Sequence, residues 1–153
     1  MAAPVLIESL DALAKMVGKE VAVSDWVEVT QERINRFAEA TEDFQWIHVD
    51  LEKAKHSPTG GTIAHGFLTL SLVAGFSQRT LKIGDVRMGI NYGLNKVRFT
   101  GMVPAGSRLR GRFTLMETKP IEGGLQIFWK VTVEREGADK PVCVAETIGL
   151  AYR

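Results

Sequence analysis

The segment from residue 43 to residue 50, DFQWIHVD, places a carboxylate, Asp43, and an imidazole, His48, five positions apart in a chain with only three histidines. A carboxylate and an imidazole that converge on one water molecule can remove a proton from it and deliver a proton to a neighbouring carbon. Taken alone, such a pair is more often an exposed acid at a helix end and a half-buried histidine. The elements around the pair must therefore decide whether it does chemistry.

A third candidate group is the backbone N–H of Gly66, at the start of the apolar segment HGFLTLSLVAGFSQ. Alternating leucines also fit a strand, but the length of the segment and its few β-branched residues favour a helix. First-turn N–H groups lack intrahelical acceptors, and glycine lets a ligand oxygen approach closely. Gly66 is thus a candidate donor to a negatively charged oxygen, although a glycine kept only for tight packing fits the sequence equally well.

Elements on both sides of this segment can be predicted from capping residues and periodicity. Thr30 is placed to cap a helix over QERINRFAEAT that ends just before Asp43, and Ser9 is placed to cap a shorter helix that Gly18 stops. A strand is expected between them, through VAVSDWVEV. Asp43 would then lie at a helix end, and an irregular stretch after it would let the carboxylate and His48 converge on one water.

The carboxy-terminal half changes to a period of two, which is typical of half-buried antiparallel strands. Strands are predicted in SRLRGRFTLMET, QIFWKVTVERE and VCVAETIGLAYR, separated by the turn segments TKPIEGG and GADKP. An antiparallel sheet wrapped around one buried helix satisfies both halves of the pattern. This α+β arrangement is that of the hot-dog fold. No linker, repeat or low-complexity tract divides the chain, so residues 1–153 are expected to form one domain.

The stretch ATEDFQWIHVDLEKAKHSPTGGTIAHGFLTLSL resembles the hydratase motif of the MaoC-like dehydratases, also called R-specific enoyl-CoA hydratases. In that motif an Asp and a His five residues apart precede a His-Gly pair at the start of the hot-dog helix. Gln45-Trp46, together with INYGLNKVRF, is similar to the nodulation-protein-N-like branch. The commoner pattern has Asn-Pro at those two positions, which bears on substrate range more than on reaction type.

This resemblance implies reversible addition of water to a trans-2-enoyl thioester, which gives an R-3-hydroxyacyl thioester. The reaction needs a proton taken from water, a proton delivered to the α-carbon, and stabilisation of the enolate that develops at the thioester oxygen. Asp43 and His48 would supply the first two and the Gly66 N–H the third, with Trp46 and Ile47 shielding the water. The order in which the pair acts stays open, because coupled groups share their titration.

Composition limits the partners of the protein. Hydrophobic residues make up 45% of the chain, enough for a core, and the formal charge of +1 gives no field for collecting nucleic acid. The longest apolar run is too short for a membrane span, and the amino terminus does not resemble a signal peptide. Cys143 has no internal partner for a disulfide. A cytoplasmic protein that binds neither nucleic acid nor membrane is expected.

Other groups give weaker signals. The spacings of His48, Asp50, His56 and His65 match no zinc pattern, so no metal site is predicted, and no cofactor is expected beyond the coenzyme A of the substrate. His65 is expected to be structural and His56 to lie on the surface. Arg108, Arg110 and Arg112 form a basic strand face that is either solvated or a contact for coenzyme A phosphates. Glu146 interrupts an apolar alternation and has no explanation beyond a bulge or a strand end.

Two function classes remain open from the sequence. The first is a lyase acting on acyl-CoA or on a thioester of acyl carrier protein. The alternative is a hot-dog thioesterase or a non-catalytic protein that binds acyl thioesters, because fold alone does not determine function. A homodimer or higher homo-oligomer is expected in either case, since the late strands of one chain would leave a sheet edge and an acyl tunnel poorly covered.

Overall fold

The computed structural model describes residues 2–153. Its elements, in chain order, are β1 (Val5–Ile7), α1 (Leu10–Ala14), β2 (Glu20–Val23), β3 (Val27–Val29), α2 (Gln31–Thr41), α3 (Trp46–Val49), α4 (Leu51–Lys55), α5 (Gly66–Thr80), β4 (Leu81–Ile83), β5 (Met88–Arg98), β6 (Ser107–Ile121), β7 (Gly124–Arg135) and β8 (Cys143–Tyr152). Helices therefore dominate the first half of the chain and long strands the second.

The main sheet has six antiparallel strands in the order β2-β6-β7-β8-β5, and β3 also pairs with β6. The hairpin between β6 and β7 turns at Glu122 and Gly123, and Gly123 has a φ of 78°, a backbone conformation that favours glycine. The short strands β1 and β4 form a separate parallel pair. β5 forms an edge of the main sheet.

The helix α5 packs on the inner face of this sheet. Phe76 from the helix and Phe113 from β6 are both buried, and full burial of such a side chain stabilises the fold by roughly 1.5 to 3 kcal/mol. Gly111 lies beneath Phe76, whose ring would be only 3.1 Å from a Cβ added to the glycine. The small residue in β6 therefore makes room for the helix to approach the sheet.

The predicted α+β hot-dog architecture is confirmed, and both predicted caps form. The Ser9 Oγ atom accepts a hydrogen bond from the Ala12 N–H at 3.0 Å, and the Thr30 Oγ1 atom accepts one from the Arg33 N–H at 3.1 Å. The three late strands also occur where the alternating pattern placed them, but β6 and β7 extend into the segment TKPIEGG, of which only Glu122 and Gly123 form the turn. Capping groups and side-chain alternation act locally, so these elements could be found without knowledge of the tertiary structure.

Three expectations about the elements were wrong or incomplete. The strand expected through VAVSDWVEV is two strands, β2 and β3, separated at residues 24–26, where the Ser24 Oγ atom accepts a bond from the Gly111 N–H. The helix α5 is not enclosed on all sides, because Phe67 is 67% exposed. The strands β1, β4 and β5 were not predicted. The first and second are three residues long, too short to show a period, and the alternation of Met88, Ile90, Tyr92 and Leu94 with glycine and asparagine in β5 was not recognised as a strand.

Glu146 lies in the middle of β8, where it pairs in register with Lys96 of β5 on one side and Lys130 of β7 on the other. A shift in the β5 register occurs next to this point, between Leu94 and Lys96. An acidic residue between two lysines on neighbouring strands is a favourable cross-strand arrangement. The charge that interrupts the alternation is therefore matched by its neighbours in the sheet.

Within residues 2–153, no helix combines the length and apolar character needed to span a lipid bilayer.

Candidate active site

Asp43 and His48 are positioned by the chain reversal that follows α2. The helix ends at Thr41, and Glu42 adopts a left-handed conformation with a φ of 63°, which turns the chain into an irregular segment that contains Asp43. His48 lies on α3, a helix of four residues that begins at Trp46. The irregular stretch expected from the sequence is therefore limited to residues 43–45.

The His48 side chain is buried, and its orientation is set by a backbone carbonyl. Its Nδ1 atom lies 2.7 Å from the carbonyl oxygen of Ile63. A carbonyl oxygen can only accept, so Nδ1 carries the proton and donates this bond. The neutral imidazole then has its free lone pair on Nε2. His48 is thereby prepared to accept a proton at one defined atom.

Gln31 connects the α3 helix to the segment that carries Ile63. Its side-chain Nε2 donates to the His48 carbonyl oxygen at 2.8 Å, and its Oε1 accepts from the hydroxyl of Thr62 at 2.5 Å. A backbone hydrogen bond from Ile63 to the carbonyl of Ile47, at 3.0 Å, runs parallel to this bridge. Gln31 was not predicted as a site residue, because a position in the first turn of an amphipathic helix gives no sign of a partner 17 residues away.

Asp43 is exposed, and its carboxylate lies close to His48. A carboxylate oxygen of Asp43 and ring nitrogens of His48 and His65 all lie within 4.8 Å of one another. One water molecule can hydrogen-bond to two groups at this separation. The Asp43 Oδ1 atom also accepts a hydrogen bond from the Gln45 N–H at 3.3 Å. The structure therefore brings together the acid and the imidazole that were singled out in the sequence.

His65, expected to be structural, lies in contact with both members of this pair. Its ring stacks on that of His48 with 3.8 Å between centroids, and its Nε2 atom lies 3.0 Å from the backbone carbonyl oxygen of Asp43. Phe37 packs on it at 4.9 Å. The sequence signal that could have placed His65 in the site was its position next to Gly66.

The same three side chains have the composition of a metal site, but their geometry fits a metal ion poorly. Each imidazole lone pair lies in the plane of its own ring, and the rings of His48 and His65 are nearly parallel, at 22°. Stacked rings direct their lone pairs side by side rather than toward one point. The other residues considered as ligands lie elsewhere: Asp50 caps α4 through the Lys53 N–H, and His56 is exposed at the end of that helix.

Gly66 is the first residue of α5, as the sequence predicted. Within the described part of the chain, its N–H has no hydrogen-bond acceptor. The residue borders a cavity of about 420 Å³, within the size range of small-molecule sites. The residues around this cavity are mostly apolar: His48, Ile63, Ala64, Gly66, Thr69, Phe99, Thr100, Gly101, Met102, Val103 and Val142. The cavity thus combines an apolar wall with the free N–H of Gly66 and the His48 ring.

The wall of this cavity differs from the one expected. Trp46, which was expected to shield the reacting water, does not line the cavity and instead packs under Lys53, whose Nζ lies 4.7 Å from the ring centroid. Phe99 forms the part of the cavity wall next to Gly66, where a Cβ added to the glycine would lie 2.9 Å from the phenyl ring. A glycine at position 66 therefore keeps space for both the Phe99 ring and a ligand.

The basic strand face carries ion pairs. The carboxylate of Glu134 accepts bonds from Arg110 and Arg112, both at 2.7 Å, while Arg108 pairs with Glu136 at 3.0 Å. Burial by itself would raise the pKa of Glu134, but the hydrogen bonds from the two arginines outweigh it and hold that pKa below its ordinary value. Charges that are neutralised in this way favour the interpretation of this face as a solvated surface.

Cys143 lies at the start of β8 and is fully buried. Burial raises the pKa of its thiol to about 11, so the thiolate needed for nucleophilic chemistry is scarce near neutral pH. The residue belongs to the hydrophobic core.

Comparison with known proteins identifies the family. Residues 12–136 match the model of the MaoC like domain. The chain is 49% identical over 142 residues to 3-hydroxyacyl-thioester dehydratase Z of Mycobacterium tuberculosis, covering 92% of this chain and 94% of that protein. It is 45% identical to Nodulation protein N of Rhizobium leguminosarum bv. viciae, covering 92% and 89% of the two chains. The protein is therefore a member of the MaoC-like dehydratase family.

Solved structures agree on the fold. A protein from Archaeoglobus described as a monoamine oxidase regulatory protein superposes with a TM-score of 0.80 at 23% identity, covering 100% of this chain and 99% of that one. The unliganded R-hydratase PhaJ1 from Pseudomonas aeruginosa gives a TM-score of 0.70, also at 23% identity, covering 90% and 82%. These likenesses confirm the hot-dog fold, and the relatives at 45% to 49% identity agree with the branch that the Gln45-Trp46 variant indicated.

Proposed function

We propose that this protein is a hydro-lyase that adds water reversibly to trans-2-enoyl thioesters and gives R-3-hydroxyacyl thioesters. The observation that carries the proposal is the position of the Asp43 carboxylate within 4.8 Å of an imidazole that lines an apolar cavity beginning at Gly66. Family membership and the name of the mycobacterial relative, a 3-hydroxyacyl-thioester dehydratase, support the same reaction class.

The proposed mechanism gives each of the three groups one task. A water held between the Asp43 carboxylate and the His48 Nε2 atom loses a proton to that nitrogen while its oxygen bonds to the β-carbon. The carboxylate holds the second hydrogen of the water and stabilises the imidazolium. The imidazolium then returns a proton to the α-carbon, so the atoms of one water are added and the enzyme regains its starting state.

The Gly66 N–H is proposed to bind the thioester oxygen. Negative charge develops on this oxygen as the enolate forms, and a free N–H at a helix N-terminus is favourably placed to stabilise it. The apolar wall around Phe99 and Val103 would hold the acyl chain beyond the thioester. A substrate of this kind carries its own coenzyme A or acyl carrier protein, and the proposed mechanism uses no further cofactor.

The proposal extends to the assembly and location of the protein. The edge strand β5 is exposed along almost its whole length. Its apolar side chains Ile90, Tyr92 and Leu94 are each between 45% and 63% exposed. An apolar sheet edge of this kind tends to pair with another strand. We infer that a second copy of the chain covers it in a homodimer, and that the protein acts on thioesters in the cytoplasm.

Thioester hydrolysis on the same scaffold is the competing activity, and one assay separates the two. The protein is incubated with crotonyl-CoA while the conjugated enoyl absorbance and the release of free thiol are followed together. Loss of absorbance without thiol release is the expected result. Thiol release would overturn the proposal in favour of a thioesterase. If neither signal changes with crotonyl-CoA and with longer trans-2-enoyl-CoA substrates, the protein is a binding protein instead.

A further inference from the structure

His65 contacts or adjoins each of the three residues to which the proposed mechanism gives a task. Its ring stacks on His48, its Nε2 lies 3.0 Å from the carbonyl oxygen of Asp43, and the next residue in the chain is Gly66. The side chain is only 2% exposed. We propose, resting on the proposed function, that His65 is a positioning residue that fixes the Asp43 segment and the His48 ring relative to the first turn of α5.

The hydrogen-bond pattern of His65 supports this role. The Asp43 carbonyl can only accept, so the Nε2 atom of His65 carries the proton and donates. Its other nitrogen, Nδ1, is buried and has no hydrogen-bond partner among the described residues. Burial of an imidazole with one nitrogen unpaired is unfavourable, and burial of an apolar ring would avoid that cost. An imidazole is nevertheless required if the position must provide both a flat ring and an N–H donor.

The two contacts act on different members of the pair. The donated bond holds the backbone of Asp43. The Asp43 side chain is exposed, and among residues 2–153 only the weak 3.3 Å bond from the Gln45 N–H restrains it. The stacked ring supports His48 from the side, while the Ile63 carbonyl holds it through Nδ1. His65 is the residue that precedes α5. Its contacts therefore hold Asp43 and His48 in a fixed position relative to the helix terminus that carries the Gly66 N–H.

Two substitutions separate these contacts. His65→Gln keeps an N–H donor near the position of Nε2 but removes the ring, whereas His65→Phe keeps a ring that stacks and removes the donor. Neither substitution changes a group that touches the proposed substrate position, since His65 does not line the cavity. We expect each variant to lose roughly 10- to 100-fold in kcat for crotonyl-CoA while KM changes by less than about twofold, because misplacement of reacting groups lowers the rate more than binding.

A readout that needs no activity accompanies the kinetics. The stacked ring of His65 should shift the Cε1–H proton signal of His48 in the nuclear magnetic resonance spectrum. This signal should move in the Gln variant and move much less in the Phe variant. The signal is assigned to His48 by its absence from the spectrum of the His48→Gln variant. Melting temperatures show whether both variants are folded at the assay temperature.

The outcomes distinguish failure of this inference from failure of the proposed function. Folded Gln and Phe variants that both keep kcat within about twofold of the parent would overturn the positioning role. A loss of activity that comes only from a higher KM would overturn it as well. If the parent protein itself hydrates no enoyl thioester, the proposed function fails and the resonance decides alone. An unmoved His48 signal in the Gln variant then shows that the two rings are not stacked and overturns the inference, and a moved signal supports the stacking contact on which it rests.

Discussion

The Nδ1 atom of His48 lies 2.7 Å from the carbonyl oxygen of Ile63, 15 residues further along the chain. This bond fixes which imidazole nitrogen is protonated and leaves Nε2 as the acceptor. The sequence left open which member of the Asp43 and His48 pair takes the proton from water. The geometry now supports His48 for that step, with Asp43 as its partner.

The first prediction concerns this pair. Asp43→Asn and His48→Gln should each lower the crotonyl-CoA hydration rate by at least about 10²-fold, the usual effect of a lost general acid or base. The melting temperature should change little. Steady-state kinetics and thermal melting measure both quantities.

The chain provides matched controls for the pair. Asp50 and His56 are an acid and a histidine from the adjoining segment, and they lie at the two ends of α4. Asp50→Asn keeps a side chain that can cap the helix, and His56→Gln changes an exposed residue. Both controls should retain the parent rate. A pair variant as active as these controls would remove that residue from the mechanism.

The Gly66 N–H is tested by comparing alanine with proline. Both residues add a Cβ that meets the Phe99 ring, so both are placed in a Phe99→Leu background and compared with each other. Gly66→Pro deletes the donor, and the preceding residue, His65, already has the extended ψ of 139° that proline requires. We expect the Pro variant to lose roughly 10² to 10³ in kcat relative to the Ala variant.

The comparison requires that both double variants fold. Proline is tolerated in the first turn of a helix, and Gly66 is the first residue of α5, so the melting temperatures should be similar. Equal values of kcat for the folded Ala and Pro variants would show that the glycine is needed for packing alone.

The homodimer predicts a particular response to charge on β5. Size-exclusion chromatography with light scattering should give twice the chain mass of 16.9 kDa at micromolar concentration. Ile90→Lys combined with Leu94→Lys should shift the protein toward the monomer, because burial of two unpaired charges in an interface is costly. Leu6→Lys is the control, since Leu6 is 78% exposed but lies on β1, outside the main sheet. A monomeric parent protein would contradict the proposal.

The ion pairs of Glu134 predict a loss of stability in acid. Its pKa is below the ordinary value of 4.5 in the folded protein, so the folded state binds a proton less readily than the unfolded chain. The stabilisation is therefore fully present above about pH 4.5 and is lost as the pH falls through the folded pKa. Glu134→Gln should destabilise the protein by about 1 kcal/mol at pH 7 and much less near pH 3.

Denaturant unfolding at several pH values measures this effect. Glu136→Gln is the matched control, because Glu136 also pairs with an arginine of β6 but is more exposed, and it should have a smaller effect at every pH. If the destabilisation by Glu134→Gln is the same at pH 3 as at pH 7, the ion pairs are not its source.

Local features of the sequence determined much of this protein. Thr30 and Ser9 mark their helices because a cap acts on N–H groups within three residues of it. The late strands could be predicted because burial of one sheet face imposes a period of two. Asp43, His48 and Gly66 were proposed as a group because they lie within one continuous segment of the sequence, and the family comparison confirms that the chain is a MaoC-like dehydratase.

Tertiary structure decided the features that depend on residues far apart in the chain. The bridge made by Gln31, the stacking of His65 on His48, and the match of Glu146 with Lys96 and Lys130 each join separate elements. A hydrogen bond or ring contact between such residues leaves no periodic pattern, because each partner has an ordinary local sequence. The packing of α2, α3 and the start of α5 brings Gln31, His48 and His65 together, and the pairing of β8 with its two neighbours places Glu146 between the lysines.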